Sequence, residues 1–318
     1  IRLTIGRNYF SFLSAYRQIQ TMSGVTIDEL KELAKIGGEL IREKIGHHNK
    51  KVDFKQSGAD LVTETDVAIE NLLKETISKK HPTHVFLCEE SSHSDQRLTD
   101  APTWIIDPID GTTNFVHSLP LVCVSIAFAL NRQVQHGVVY NPVTDQLFHA
   151  TAGGGAFVLQ KGNSKPLKTS TCTLLDKSLI ATGYCATPRH KLEEDKKVEK
   201  LSPEDRANLT VIRDCSNKNF TAMTSMCQDV RSFGSAAISI CCLASGEVDC
   251  YAELCPKEWD IAAALLILYE AGGCAANYDN TPMGDMHSRQ CAAAGTTELL
   301  KSLCDVLHAP EFDFARYC

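Results

Sequence analysis

The sequence predicts an α+β fold in which helices pack in layers against mostly antiparallel sheets. Two amphipathic helical segments stand near the start of the chain, a series of short β-type runs follows, and further helices with one more strand occupy the second half. Because these strands follow one another instead of alternating with helices, the pattern differs from that of a doubly wound α/β protein.

The first two predicted helices are defined by caps and apolar stripes. The first begins at Thr26, in a Thr-x-x-Glu sequence typical of a capping box completed by Glu29. Its apolar stripe consists of Ile27, Leu30, Ala34, Ile41 and Ile45. The second helix is predicted over residues 66–79, with one apolar face made of Ile69, Leu72, Leu73 and Ile77.

Six runs rich in β-branched and aromatic residues are predicted as strands of a meander, at residues 85–87, 104–106, 122–130, 137–140, 147–151 and 156–159. Residues 191–205 carry mixed charge and indicate a solvated helix or loop. A small-residue helix at 235–244, a strand at 248–252 and a long apolar helix from Asp260 to Gly272 complete the prediction.

Composition excludes several classes of protein. The chain of 318 residues has a net charge of −7, which argues against a nucleic-acid partner, and it contains no apolar segment of about 20 residues that would span a membrane. None of the 14 cysteines forms a C-x-x-C pair, so a zinc ribbon is excluded. Most cysteines are predicted to be buried thiols of a protein in a reducing compartment, the cytoplasm.

The first 27 residues contain no acidic side chain and include Arg2, Arg7 and Arg17. Two interpretations stay open. The segment is a transit-type extension, or it precedes a native start at Met22, which we favour. In either case residues 1–24 are predicted to lie outside the fold and residues 25–318 to form one domain.

The motif D-P-I-D-G-T-T-N-F at residues 107–115 carries the main chemical signal. A buried strand at 104–106 would deliver Asp107 to its end, and a tight turn at Gly111 would let Asp110 converge on the same side, together with the carbonyl of Ile109. Such hard oxygen atoms are the ligands that magnesium takes, and a helix opening at Gly111 would offer N–H groups to a phosphate. The alternative is an ordinary strand, turn and helix with capping aspartates.

Three further acidic residues stand at predicted element ends. Glu89 follows the strand at 85–87, Asp260 begins a strongly apolar helix, and Asp66 begins the second helix. Taken singly, each has an ordinary interpretation, as a solvated glutamate beside Glu90 or as a helix N-cap.

In combination, these motifs resemble those of the inositol monophosphatase family of magnesium-dependent, lithium-sensitive phosphatases. The resemblance runs from about Val25 to the C-terminus and rests on D-P-I-D-G-T-T-N-F, E-E-S and W-D-I-A-A in that order. It implies an inositol monophosphatase-like domain with the layered αβαβα sandwich shared with fructose-1,6-bisphosphatase. It also implies a homodimer and Mg²⁺-dependent hydrolysis of inositol monophosphate, a small phosphate monoester, to myo-inositol and phosphate.

The resemblance also implies roles for single residues. Two to three Mg²⁺ ions would be bound, the first by Glu89, Asp107 and the Ile109 carbonyl, the second by Asp107, Asp110 and Asp260, and a weaker third with help from Glu89. Catalysis would use Glu89 and Thr112 to orient the attacking water, with Asp66 behind Thr112. Lys55 would lie in a loop that closes near the metals.

The substrate contacts implied by the resemblance form a second set. The phosphate would meet Asp110 and the backbone amides of Gly111 and Thr112, and the hydroxyl groups would face Gly234, Ser235, Ala236 and Glu253. A metal-activated water would attack phosphorus directly and in line, without a phosphoenzyme.

Three departures from the family pattern bear on substrate choice. Cys88 stands where glycine usually precedes E-E-S, the segment between Cys185 and Arg231 is unusually long and charged, and Ala186 stands where some members have a polar residue near the substrate. Three rival functions stay open. Two are enzymes of the same superfamily, a bisphosphate nucleotidase and a sugar 1-phosphate phosphatase. The third is a non-enzymatic regulator that binds cations and inositol phosphates.

Overall fold

The structure, a computed structural model, describes residues 24–46, 52–54, 61–93, 96–198, 200–284 and 286–317. Residues 1–23 of the predicted extension and Lys55 lie outside the described residues. Among the helices described, none combines the length and the apolar character needed to cross a membrane.

Eight α-helices are found in the described part of the chain: α1 (Ile27–Lys44), α2 (Glu64–Lys80), α3 (Thr112–Val116), α4 (Ala186–Val198), α5 (Pro203–Met226), α6 (Ala236–Ala244), α7 (Glu258–Glu270) and α8 (Thr297–Cys304). The strands are β1 (Val52–Phe54), β2 (Leu61–Thr63), β3 (Val85–Cys88), β4 (Thr103–Asp110), β5 (Cys123–Leu130), β6 (Gln133–Asn141), β7 (Gln146–Thr151), β8 (Ala156–Gln160), β9 (Asn163–Pro166), β10 (Leu179–Thr182), β11 (Asp229–Arg231), β12 (Cys250–Leu254), β13 (Cys274–Ala276) and β14 (Gln290–Ala294).

The larger sheet has seven strands in the order β3-β4-β5-β6-β7-β8-β9. Strands β4 to β9 pair antiparallel with their neighbours in the chain, so the predicted meander is confirmed. Strand β3 is parallel to β4, which brings the C-terminal ends of both strands to the same edge. That edge carries Glu89 after β3 and Asp110 at the end of β4.

The second sheet has five strands in the order β11-β10-β12-β14-β13 and is more mixed than the sequence predicts. Strand β10 is parallel to both β11 and β12, while β14 is antiparallel to β12 and β13. Parallel neighbours need a crossover connection, and helices α4, α5 and α6 supply it. The charged stretch 191–205 belongs to this crossover, because it spans the end of α4 and the start of α5.

The elements stack in five layers, as the αβαβα prediction requires. Helices α1 and α2 cover one face of the larger sheet, and α6 and α7 fill the space between the two sheets. Helices α4, α5 and α8 cover the outer face of the smaller sheet. Three buried apolar clusters correspond to these three helix–sheet contacts, since a sheet of this kind buries both faces.

The predicted caps of the first two helices are correct in part. Thr26 is the N-cap of α1, and its hydroxyl accepts a hydrogen bond from the N–H of Glu29. The Glu29 carboxylate contacts Lys80 at 2.7 Å and His81 at 2.9 Å, whereas the capping box would aim it at the backbone of Thr26.

Helix α2 begins two residues before the predicted start. Thr63 is its N-cap, and Asp66 completes a capping box from the third helical position, so Asp66 is not the cap itself. Leu72 is 36% exposed and lies outside the buried face that Ile69, Leu73 and Ile77 share.

Seven of the twelve cysteines described as free thiols are buried, in agreement with the predicted use of cysteine as a small apolar residue. Cys255 is disulfide-bonded.

Helix α7 packs closely against the larger sheet at Gly137, in the middle of β6. A β-carbon placed on Gly137 would lie 2.7 Å from the carbonyl oxygen of Ala263, a backbone atom of α7. Glycine is therefore required here for close packing, since a side chain would push helix and sheet apart.

We expect Gly137→Ala to lower the free energy of unfolding by about 1–3 kcal/mol, the usual cost of overpacking a core. The matched control is Gly46→Ala, because no atom lies within 4 Å of a β-carbon at Gly46. Urea denaturation followed by circular dichroism measures both variants. Equal denaturation midpoints for the two variants would contradict the packing argument.

Candidate active site

The end of β4 brings two carboxylates into the interior of the protein. All eight residues of β4 are buried, and the pairing register with β5 shifts between Asp107 and Asp110. Asp107 is 2% exposed and Asp110 8%. The Oδ1 atom of Asp107 accepts a hydrogen bond of 2.9 Å from the N–H of Ile109, which fixes the turn between the two aspartates.

The chain then turns at Gly111, whose φ of +96° lies in the left-handed region that favours glycine. A β-carbon at Gly111 would also lie 2.8 Å from the carbonyl oxygen of Leu121. Helix α3 follows from Thr112, as the sequence predicts, but is only five residues long. The Thr112 amide therefore faces out of the first turn of a short helix next to Asp110.

Asn114 ties this turn to the segment that precedes α6. Its Nδ2 atom donates to the carbonyl oxygens of Leu121 (2.8 Å) and Phe233 (2.7 Å). The bond to Phe233 holds Gly234, with φ +70°, against the Asn114 side chain. Sequence reasoning includes Asn114 in the main motif but gives it no role, since its partner is 119 residues away.

Asp110 lies at the N-terminus of α6. Its Oδ2 atom accepts hydrogen bonds from the Ser235 hydroxyl (2.6 Å) and from the N–H of Ala237 (2.7 Å), and Ser235 is the N-cap of the helix. Because the N-terminus of a helix stabilises negative charge, this contact holds the Asp110 carboxylate in place. The Ser235 hydroxyl, predicted as a substrate contact, is thus engaged with Asp110.

Asp66 acts on the site from behind. It is fully buried and accepts hydrogen bonds from the N–H and the hydroxyl of Thr63. The Thr112 hydroxyl lies 3.3 Å from Asp66 Oδ1 and 3.2 Å from the Ile109 carbonyl oxygen. Asp66 therefore contacts Thr112, as the resemblance implies.

Glu89 follows β3 directly, and its N–H donates to the carbonyl oxygen of Ile106 in β4. Besides desolvation, the negative charge of Glu89 is one of the causes that raise the pKa of Asp107. The unusual Cys88 is the last residue of β3, fully buried, and its N–H donates to the Ser92 hydroxyl at 2.8 Å. The turn before Glu89 thus accommodates the Cys88 side chain in the core.

Asp260 reaches the same place from the start of α7. The sequence places it at the helix start, but α7 begins at Glu258, and the N-cap is Lys257. Asp260 is the third helical residue, and its Oδ2 atom accepts a hydrogen bond of 2.7 Å from the N–H of Lys257. This position lets one carboxylate cap the helix and face the cavity.

A buried ion pair anchors the first turn of α7, and sequence reasoning missed it. Glu258 is 1% exposed and contacts Arg289, 3% exposed, at 2.7 Å, while His287 Nδ1 lies 2.9 Å from its other oxygen. Arg289 has a φ of +57° and a buried Nε without a hydrogen-bond partner. No local signal announces this contact, because the partners are about 30 residues apart.

Glu253 lies inside β12, which continues to Leu254, two residues beyond the predicted strand end. The Tyr251 hydroxyl donates a hydrogen bond of 2.5 Å to its Oε2 atom. Desolvation raises the pKa of Glu253 to about 7. The hydrogen bond from Tyr251 lowers this pKa, and repulsion from Asp110 raises it.

These elements enclose one cavity of about 410 Å³. Among the described residues, its lining comprises Glu89, Asp107, Ile109, Asp110, Gly111, Thr112, Thr113, Asn114, Thr182, Gly183, Tyr184, Ser232, Gly234, Ser235, Ala236, Ser239, Glu253 and Asp260. Of the candidate site residues named from the sequence, all that the structure describes are included except Asp66, and Lys55 lies outside the described residues. The described lining contains five carboxylates and no Lys, Arg or His side chain.

The carboxylates repel one another. Desolvation raises the pKa of Asp107 well above its ordinary value, and the charges of Glu89, Asp110 and Asp260 raise it further. The pKa of Asp260 is also raised well above normal, by desolvation and then by Glu89 and Asp110. Desolvation raises the pKa of Asp110 to about 6, although its hydrogen bonds to Ser235 and Ala237 lower it.

The donor set fits hard divalent cations. As the side chains stand, no group of three or more His, Cys, Asp or Glu side chains in the described ranges is ready to hold a metal ion. The carboxylates of Asp110 and Asp260 are held by protein N–H groups, and desolvation and the charge of Glu89 raise the pKa of Asp107. Carboxylates that repel one another favour binding of a proton or a cation, and carboxylate and carbonyl oxygens are the ligands that Mg²⁺ prefers.

Comparison with known proteins gives a consistent match. The sequence profile described as "Inositol monophosphatase family" matches residues 25–309. Inositol monophosphatase 1 of Rattus norvegicus is 38% identical over 278 residues, which cover 86% of this chain and 91% of the relative.

Solved structures agree with this match. The extragenic suppressor protein SuhB from Bartonella henselae has a TM-score of 0.70 and 28% identity, covering 87% of this chain and 96% of its own. The inositol monophosphatase from Anabaena (Nostoc) sp. PCC 7120 has a TM-score of 0.66 and 29% identity, covering 88% and 93%. Such neighbours share the layered fold found here.

We expect Asp107→Asn to raise the melting temperature of the protein in chelator at pH 8. The pKa of Asp107 is raised by folding, so its ionisation opposes folding and the stability of cation-free protein falls as the pH rises above the ordinary aspartate range. Asparagine cannot ionise and retains the oxygen that accepts from Ile109. A rise of about 1–2 °C would correspond to ~1 kcal/mol in a domain of about 290 residues.

The matched control is Asp249→Asn, because Asp249 accepts hydrogen bonds from Ser170 and Leu179 without a carboxylate neighbour of this kind. This control should melt below wild type. Differential scanning fluorimetry with EDTA, and again with Mg²⁺, measures both. If Asp107→Asn melts below wild type in EDTA, the repulsion argument is wrong.

Proposed function

The chain belongs to the inositol monophosphatase family and is a phosphoric monoester hydrolase, and on that premise we propose that it hydrolyses inositol monophosphate to myo-inositol and phosphate with Mg²⁺ as cofactor. The observation that carries the proposal is the charge of the cavity. Five carboxylates line it, without a basic side chain among the described lining residues. A phosphate monoester is itself an anion, so the cavity can accept it only together with cations.

The carboxylates divide into two overlapping sets of ligands. Glu89, Asp107 and the carbonyl of Ile109 would hold one Mg²⁺ ion. Asp107, Asp110 and Asp260 would hold another, and Glu89 would contribute to a weaker third. When bound, Mg²⁺ lowers the pKa of water and neutralises charge on the phosphoryl and leaving oxygens.

The protein's own residues would orient the reactants. Thr112, fixed by Asp66 and the Ile109 carbonyl, and Glu89 would hold the attacking water, and Glu89 would take its proton. The backbone amides of Gly111 and Thr112 would bind phosphate oxygens. The water oxygen forms a bond to phosphorus as the bond to the inositol oxygen opposite breaks, and that oxygen leaves with a proton as the free alcohol.

Glu253 and the segment from Gly234 to Ala236 would bind the hydroxyl groups of the substrate. The Glu253 carboxylate lines the same cavity as the acidic ligands but belongs to the other sheet. Its Oε2 atom is held by Tyr251. This arrangement supports a substrate whose phosphate faces the larger sheet and whose hydroxyl groups face the smaller one.

The rival substrates, a sugar 1-phosphate or a nucleotide bisphosphate, would use the same metal ligands. A regulator that binds without catalysis would be expected to lack one of the carboxylates, and Glu89, Asp107, Asp110 and Asp260 all line the cavity. The proposal therefore includes catalysis, and a substrate panel distinguishes among the esters.

The proposal extends to a cytoplasmic homodimer that lithium inhibits, as the family resemblance implies. The twelve free thiols in the described part of the chain suit a reducing compartment. Sedimentation analysis would test the homodimer, and a millimolar lithium titration would test the inhibition.

Phosphate release from inositol, sugar and nucleotide phosphates tests the proposed function. We expect no release in chelator, full recovery with Mg²⁺, and a poor rate with Ca²⁺, which prefers longer bonds and more ligands. Inositol 1-phosphate should have the highest kcat/KM of the panel. Full activity with Ca²⁺ alone, or in chelator, would contradict the metal assignment.

We expect Glu253→Gln to lower kcat/KM for inositol 1-phosphate by about 10–150-fold, because a hydrogen bond to a charged acceptor is worth roughly 1.5–3 kcal/mol. An aryl phosphate without ring hydroxyls should be affected little. Steady-state kinetics on one enzyme preparation measure both substrates.

The control for this variant is Glu32→Gln on the exposed side of α1, which should leave both rates unchanged. Equal losses on the two substrates would mean that Glu253 supports the site generally and does not read hydroxyl groups.

A further inference from the structure

The cavity has an aromatic side chain opposite its acidic floor. Tyr184 follows β10 by two residues and is the one aromatic residue in the part of the lining that the structure describes. It is 53% exposed, although the aromatic rings of Tyr251 and Phe115 near the site are buried. Tyr184 therefore lines the cavity with a ring that is partly open to solvent.

Tyr184 is braced from outside the cavity. Its ring centroid lies 5.2 Å from that of Phe220, with 47° between the ring planes. Phe220 belongs to α5, and the neighbouring Asn219 side chain is bonded twice to the backbone of His308, at 2.8 Å and 2.6 Å. This contact with an anchored helix restricts the orientations of the Tyr184 ring, and such restriction reduces the entropy cost of using the ring in binding.

Gly183 places Tyr184 beside Glu253. A β-carbon on Gly183 would lie 2.0 Å from the Glu253 carboxyl group, so that carboxyl group packs directly on the glycine backbone. Tyr251 fixes one carboxylate oxygen of Glu253. A hydrogen-bond acceptor and a flat apolar surface therefore stand side by side at the rim.

This pair matches a ring that carries hydroxyl groups on its edge and C–H bonds on its face. An open-chain alcohol has no flat apolar face to lay on an aromatic ring, and an unsubstituted aryl group offers no hydroxyl to the carboxylate. Resting on the function proposed above, we infer that Tyr184 is a specificity residue that packs on the C–H face of a cyclic polyol. The site thereby prefers phosphates of ring polyols to those of open-chain alcohols.

The variants Tyr184→Ala and Tyr184→Phe test the inference with inositol 1-phosphate and glycerol 2-phosphate in Mg²⁺. For Tyr184→Ala we expect kcat/KM on inositol 1-phosphate to fall about 5–10-fold, mainly through a higher KM, which equals ~1–1.4 kcal/mol at 1.4 kcal/mol per decade. Glycerol 2-phosphate should change less than about twofold. Tyr184→Phe keeps the ring face and should match wild type on both substrates.

Three outcomes would overturn the inference: equal losses on both substrates, no loss with alanine, or a loss with phenylalanine as large as with alanine. Since Tyr184 is half exposed, both variants should melt close to wild type, and circular dichroism checks this.

A binding arm separates this inference from the proposed function. Titration calorimetry of the two phosphates in Ca²⁺ measures affinity without requiring turnover. If wild type hydrolyses neither ester in Mg²⁺, the proposed function is wrong. In that case the inference stands only if Tyr184→Ala weakens the binding of inositol 1-phosphate and not that of glycerol 2-phosphate. It is wrong if the variant and wild type bind alike, or if neither phosphate binds.

Discussion

The carboxylates of Asp107, Asp110 and Asp260 repel one another in a desolvated cavity, and the surrounding fold has to hold them together. Each is fixed by a backbone N–H: that of Ile109 for Asp107, of Ala237 for Asp110 and of Lys257 for Asp260. Two of these bonds are made at the N-termini of α6 and α7, where helix dipoles favour negative charge. The fold thus supplies positive potential that helps to assemble the acids, while their raised pKa values indicate that repulsion among them is only partly offset.

The same contacts join the two sheets. Asp110 ends a strand of the larger sheet and accepts hydrogen bonds from the start of α6, which packs beneath the smaller sheet. Asn114 adds a second bridge, to the carbonyl of Phe233. Substrate would bind across this junction, with phosphate at the acidic end and hydroxyl groups at Glu253. Residues of both sheets therefore have to keep a fixed distance, which explains the close helix–sheet packing at Gly137.

Helix α7 carries Asp260 into the site from a separate anchor. The buried pair of Glu258 and Arg289, with His287, fixes the turn immediately before Asp260. Breaking such a pair by removing one partner leaves a buried charge unpaired, which costs about 3–5 kcal/mol. The left-handed backbone at Arg289 is therefore retained by the pairing of its side chain. Stability at this end of the fold and the placement of Asp260 depend on the same contact.

The features that short-range geometry controls could be predicted from the sequence. The strand that carries Asp107, the turn at Gly111, the cap at Thr26 and the meander of the larger sheet all follow from a few neighbouring residues, although β4 continues to Asp110 and not only to Asp107. The α+β class was predictable for this reason, whereas the αβαβα order and the roles proposed for the acidic residues came from the family resemblance.

The long-range contacts depend on tertiary packing, because the residues that form them are far apart in the chain. The parallel pairing of β10 with β11 and β12, the contact of Tyr184 with Phe220 and the ion pair of Glu258 with Arg289 each depend on where whole elements pack. Side-chain periodicity indicates that a residue is buried, but it does not identify the residues against which that residue packs. Such contacts form when burial of apolar layers brings distant segments together, and no local pattern encodes them.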